Sequence, residues 1–127
     1  MTPADIHGYG APVWSRFCAP DRSGVVDGGV SAQAGTPAGK AVLRMSIDLH
    51  GEKIANARFQ AYGCPVTIAV GQWLAEQLAG APQARLAEIT AEAIRANLEI
   101  SPDKAHCSLM GEDVLRALSR TVDPAKS

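Results

Sequence analysis

Between Leu43 and Leu49 the chain alternates strictly, with Leu43, Met45, Ile47 and Leu49 separated by Arg44, Ser46 and Asp48. Period two is the side-chain period of a strand, so the segment from Lys40 predicts a half-buried strand. His50-Gly51-Glu52-Lys53 then supplies a turn with a permissive glycine. Beyond it Ala55, Ala57, Phe59 and Ala61 alternate with Asn56, Arg58 and Gln60, which predicts a second strand returning antiparallel to the first. Upstream, Ser23 to Gly39 is rich in Gly, Ser and Ala, with Val25, Val26 and Val30 as its strong strand formers. It predicts a poor edge strand followed by a loop.

After Gly63 the period becomes helical. Ile68, Gln72, Ala75 and Ala79, with neighbouring Val66, Trp73 and Leu78, fit a helix that starts at Pro65 and ends at Gly80. Leu86–Ile89 predicts a short helix and Thr90–Leu98 a second, with Thr90 as N-cap. From Pro102 to about Thr121, Leu109, Val114, Leu115 and Leu118 mark a long C-terminal helix. At the other end Thr2 and Pro3 form an N-cap and first-turn pair ahead of Ile6, Val13, Trp14 and Phe17. Gly8, Gly10 and Pro12 weaken that stripe, so a short or irregular helix up to about Cys18 is expected, and the last few residues are expected to be disordered.

The length, 127 residues, fits one domain over 1–127. Aromatic residues are only 5% of the chain, so the core relies on Ala, Val, Leu and Ile, which suits helices packed closely on a small sheet. A formal net charge of −1 gives no electrostatic footprint for nucleic acid or an anionic membrane. No apolar run approaches the roughly 20 residues that span a bilayer, and the first residues lack the order of a secretory signal. A cytosolic protein is expected. Three cysteines, Cys18, Cys64 and Cys107, make an odd set that argues for reduced thiols rather than a disulfide framework.

Two of those thiols carry the candidate chemistry. Cys64, in Tyr62-Gly63-Cys64-Pro65, stands between a strand and a helix N-terminus, where unpaired amides and the helix dipole favour a thiolate. Cys107 follows His106 in Ala105-His106-Cys107-Ser108. Adjacent side chains on a helix diverge by about 100°, so both reach one metal only at an irregular helix start, which Pro102 and Asp103 place one turn upstream. Cys64, His106 and Cys107 together make a Cys2His set with one position open, a zinc arrangement that is thin for an iron-sulfur cluster. Packed or solvated roles for the same residues remain the alternative. Cys18, in Phe17-Cys18-Ala19-Pro20, has no ligand-loop context, and His7 and His50 join no constellation. Gly35-Thr36-Pro37-Ala38-Gly39-Lys40-Ala41 is no phosphate loop, because its glycines are too close, Ala41 lacks a metal-binding hydroxyl and a strand follows it.

The block Ala57-Arg58-Phe59-Gln60-Ala61-Tyr62-Gly63-Cys64, followed by His106-Cys107-Ser108-Leu109 and Glu112-Asp113, resembles the NifU/IscU-type iron-sulfur cluster scaffold family. Phe17, Pro20 and Gly24 are similar to that family's early aromatic, proline and glycine, so the resemblance covers most of the chain. It implies an α+β fold, a three-stranded antiparallel sheet packed with about five helices, and a ligand site at one exposed end. Such scaffolds use three cysteines, an aspartate and a histidine to build a labile cluster from iron and desulfurase-derived sulfur, and isolated members often hold zinc. On this resemblance Cys64 and Cys107 match the second and third cysteines and His106 the histidine. The first cysteine and its aspartate fall at Ala38 and Lys40, so one ligand and one carboxylate are missing, and Lys40 places a cation where it can pair with a thiolate. The chaperone-recognition stretch of the family reads Ile100-Ser101-Pro102-Asp103-Lys104 here, keeping only the second proline and the lysine, which argues against release by an Hsp70-type chaperone.

Three roles follow from the resemblance and the residues. The first is an iron-sulfur cluster or zinc/iron site that is completed by an outside ligand. The second is a degenerate scaffold that docks on a cysteine desulfurase or a true scaffold, and the third is a persulfide carrier at Cys64. None is catalysis in the ordinary sense.

Overall fold

The computed structural model describes residues 10–36 and 40–122. Thr2, Pro3, Ile6, His7, Gly8, Ala38 and the last few residues, named above, lie outside them. The elements run α1 (Ala11–Cys18), β1 (Val30–Thr36), β2 (Ala41–His50), β3 (Lys53–Tyr62), α2 (Pro65–Leu78), α3 (Arg85–Glu88), α4 (Ala91–Leu98), a 3-10 turn over Pro102–Lys104, and α5 (Ala105–Val122). The three strands form one antiparallel sheet in the order β1-β2-β3. Its inner face carries Leu43, Met45, Ile47, Ala57 and Phe59, all buried, and α2 and α5 pack across it. The α+β architecture expected from the sequence is the one observed.

Helix α2 is the centre of the molecule. It is buried at ten of its fourteen positions, from Val66 to Leu78, because the sheet covers one side while α1 and α5 cover others. A helix enclosed in this way is apolar nearly all round rather than along a stripe. Gly71 lets it approach the sheet: a Cβ there would fall 2.4 Å from Phe59 Cδ2 and 3.0 Å from Leu43 Cδ1. Helix α1 is clamped to α2 by the Arg16–Glu76 ion pair at 3.0 Å. Thr90 caps α4 by accepting the Ala93 amide at 3.1 Å, as its sequence position predicts.

Three details depart from the expected pattern. Pairing steps from Asp48 opposite Asn56 to Leu49 opposite Ile54, so Ala55 is an extra residue. This bulge reverses the phase, burying Ile54 completely and turning Ala55 outward, where strict alternation had placed Ala55 on the inner side. Ser46, expected on the polar face, is buried. The segment after α1 adds to the free edge of β3, where Gly24 N–H donates to Phe59 O, and then crosses the sheet so that Val26 N–H donates to Ser46 Oγ at 2.9 Å. Val25 and Val26 therefore belong to this crossing, and the edge strand begins only at Val30.

Candidate metal centre

The end of the sheet where β3 leaves and α2 begins carries the chemistry. Cys64 is the N-cap residue of α2, in extended backbone, and Pro65 occupies the first helical turn, where its missing amide proton costs nothing. Gly63 makes the preceding corner at φ +147°, a conformation other residues avoid. A Cβ on it would also stand 2.9 Å from Thr67 Oγ1 and 3.3 Å from Ala41 Cβ, so the glycine leaves room for both neighbours. On the facing element, the 3-10 turn Pro102–Lys104 leads into α5 and brings Cys107 round in its first turn. Cys107 is buried completely, Cys64 half-buried.

Their sulfurs are 4.0 Å apart. Thr67, itself wholly buried, stands beside both, with Oγ1 3.8 Å from Cys64 Sγ and 3.7 Å from Cys107 Sγ. The hydroxyl has a single proton to donate. When Cys64 is ionised, Thr67 donates to Cys64 and accepts from the Cys107 thiol. Thr67 was not among the residues singled out from the sequence, although its place three residues after an N-cap is where a capping partner stands.

The two thiols sit in opposite electrostatic settings. Burial alone pushes the Cys64 thiol up, but the Thr67 amide and hydroxyl, the Val66 amide and Cys107 together outweigh it and bring the thiol below its usual 9.0. Cys107 is pushed up to about 11, chiefly by burial and then by the neighbouring Cys64 charge, with the Thr67 hydroxyl and the Lys104 ammonium pulling the other way. Thus one thiolate is favoured and its neighbour is kept protonated.

The other expected participants are placed differently. His106 is exposed while adjacent Cys107 is buried, the divergence that neighbouring helical positions impose. Among the described residues no group of three His, Cys, Asp or Glu side chains is close enough to hold a metal ion. The structure therefore brings together Cys64 and Cys107 but not His106. Cys18 is exposed at the end of α1. Lys40 is exposed at the start of β2 with φ +60°, and the ammonium whose field bears on Cys107 is that of Lys104. His50 lies at the opposite end of β2, 3.3 Å from Asp48. Glu112 of the second sequence block has a structural task, accepting the Ala91 N–H at the head of α4 at 2.7 Å.

The sulfur pair fits a metal in part. With metal–sulfur bonds of about 2.3 Å, two thiolates 4.0 Å apart meet at one ion with an angle of about 120°, close to two corners of a tetrahedron. The remaining corners have to be supplied from beyond this pair.

The chain and its fold are similar to known proteins. Over 88 residues the chain is 34% identical to the iron-sulfur cluster assembly scaffold protein IscU of Escherichia coli (strain K12), covering 68% of this chain and 69% of that protein. It is 28% identical over 115 residues to the iron-sulfur cluster assembly protein IscU of Plasmodium falciparum (isolate 3D7), covering 87% and 71%. The fold matches the crystal structure of the N-terminal part of a nitrogen-fixing NifU-like protein from Brucella abortus, with a TM-score of 0.75 over 94% of this chain and 96% of that one at 12% identity. No helix among the described residues is long and apolar enough to cross a membrane. Residues 8–121 match the family described as the NifU-like N terminal domain, and the chain belongs to that family.

Proposed function

We propose that this protein is an iron-sulfur cluster assembly scaffold that holds iron, zinc or a nascent cluster through Cys64 and Cys107, with further ligands from His106 or a partner protein. The observation that carries this reading is the 4.0 Å sulfur pair at the sheet end, where a half-exposed thiol adjoins a buried one. Two thiolates are half of the roughly four that a protein-bound cluster takes. A site completed from outside holds its cargo loosely and releases it when the partner leaves. That suits a carrier of metal rather than an enzyme.

The surroundings favour a docked partner. Tyr62 is 65% exposed two residues before Cys64, and Leu109 is 56% exposed two residues after Cys107. Exposed apolar side chains near a reactive pair in the chain are the kind of surface an interface covers. A cysteine desulfurase, the source of sulfur for cluster scaffolds, is the partner class this reading names.

Metal content after anaerobic purification tests the proposal, together with the absorbance gained on incubation with ferrous iron and sulfide. Bound metal or a cluster chromophore, lost in both Cys64→Ser and Cys107→Ser, is expected. A metal-free protein that gains no chromophore contradicts it.

A further inference from the structure

The same two side chains also carry a reaction that needs no metal. Cys64 is half-exposed at a helix N-terminus, whereas Cys107 has no exposed surface and touches Cys64 at 4.0 Å. Of these two thiols an outside sulfur donor therefore reaches only Cys64, and the sulfur of Cys107 meets Cys64 and Thr67 in the contacts described above. An accessible thiol with a second thiol poised to attack it is the arrangement of an acceptor with its resolving partner. We infer that Cys64 takes sulfane sulfur from a persulfide donor and that Cys107 then resolves the Cys64 persulfide, releasing sulfide and leaving a Cys64–Cys107 disulfide.

The steps balance. In the first, the Cys64 thiolate attacks the terminal sulfur of the donor R–S–SH. A bond forms between Cys64 Sγ and that sulfur, the donor's S–S bond breaks, and R–S⁻ leaves. In the second, Cys107 attacks Cys64 Sγ. The Sγ–Sγ bond forms, the bond to the terminal sulfur breaks, and its electron pair departs with that sulfur. The Cys107 proton follows to the leaving sulfide, and the Thr67 hydroxyl, 3.7 Å from Cys107 Sγ and 3.8 Å from Cys64 Sγ, lies where it can relay it. In sum R–S–SH and two thiols give R–SH, hydrogen sulfide and one disulfide, so the sulfane sulfur gains two electrons and the two cysteines lose two. Attack falls on Cys64 Sγ because that is the atom Cys107 touches. Passing the extra sulfur inward to Cys107 would require space where Cys107 has no open surface.

The chemistry is independent of the metal reading, and its test keeps the two apart. The reduced protein carrying Cys18→Ser, so that the exposed third thiol is removed, is mixed with limiting cysteine persulfide under argon with a strong chelator present. Released sulfide is measured and the cysteines are mapped by mass spectrometry. The expected result is about one equivalent of sulfide per chain and a peptide linked through Cys64 and Cys107. Adding Cys107→Ser should lower sulfide release by about tenfold or more and leave the persulfide on Cys64. Cys107→Ala, which keeps the site apolar, should do the same and guards against a folding defect in the serine variant. Sulfane sulfur that persists on Cys64 of the parent protein, or appears on Cys107, with no sulfide released above that of the Cys107 variants, overturns the inference. Because chelator is present, that failure leaves metal binding unaffected, and a protein that binds no metal can still pass.

Discussion

Thr67 Oγ1 lies 3.7 Å from Cys107 Sγ, in the interior, and its one proton is committed to whichever sulfur is charged. The residue thus decides how charge is shared between two thiols in contact. Thr67→Val keeps the shape and removes the hydroxyl. Alkylation of Cys64 by iodoacetamide at neutral pH should slow several-fold, since a hydrogen bond that favours the thiolate is gone. An unchanged rate would mean that the helix amides alone set the reactivity.

The two thiols should separate on a pH titration. Cys64 lies below the usual 9.0, so its thiolate absorbance and its alkylation should rise earlier than those of a free cysteine, while Cys107 should stay silent until about pH 11. The stability sign follows. A thiol whose folded value is raised holds its proton more firmly in the folded chain, so the Cys107 contribution is intact below about pH 9 and is lost as the pH rises towards about 11. Urea midpoints measured across that range should fall.

Gly71→Ala drives a methyl to within 2.4 Å of the Phe59 ring. The ring is enclosed by the core and can yield only by shifting α2 from the sheet, which should cost about 1–3 kcal/mol in urea unfolding. The Cys64 alkylation rate should change little in the folded protein, because α2 starts two turns away.

Glu112→Ala leaves the Ala91 amide at the head of α4 without its acceptor and should cost about 1–2 kcal/mol, whereas Glu112→Gln should keep most of the stability. Metal binding should survive either change. Loss of metal in a well-folded Glu112→Gln protein would show that this carboxylate acts at the site after all.

Ala38→Cys with Lys40→Asp supplies the cysteine and aspartate that the resemblance to cluster scaffolds implies at these two positions. Zinc affinity should rise by at least about tenfold if a third thiolate joins the pair. No gain would count against a third thiolate joining the pair.

Much of this fold was legible because its signals are local. Leu43, Met45 and Ile47 announce a strand by their spacing, and Thr90 announces a helix start by its chemistry. Ala55 was misplaced because a bulge changes the phase of a strand without leaving a mark in composition. Ser46 was misplaced because the chain that buries it comes from twenty residues upstream, at Val26. At the site, the divergence of His106 from Cys107 follows from helical geometry alone. The contact between Cys64 and Cys107 does not, since only the packing of α5 beside α2 brings residues 43 apart together. Thr67 passed unnoticed because it is neither a ligand nor a nucleophile. Its offset of three from Cys64 was the available clue.

The central claim is that Cys64 and Cys107 act on cargo as one unit. X-ray absorption at the zinc edge of the zinc-loaded protein measures this directly. The account predicts two sulfur ligands at about 2.3 Å with lighter atoms filling the remaining positions, and one sulfur in Cys107→Ser. A single sulfur in the unmodified protein, or a coordination sphere unchanged by Cys107→Ser, would contradict it.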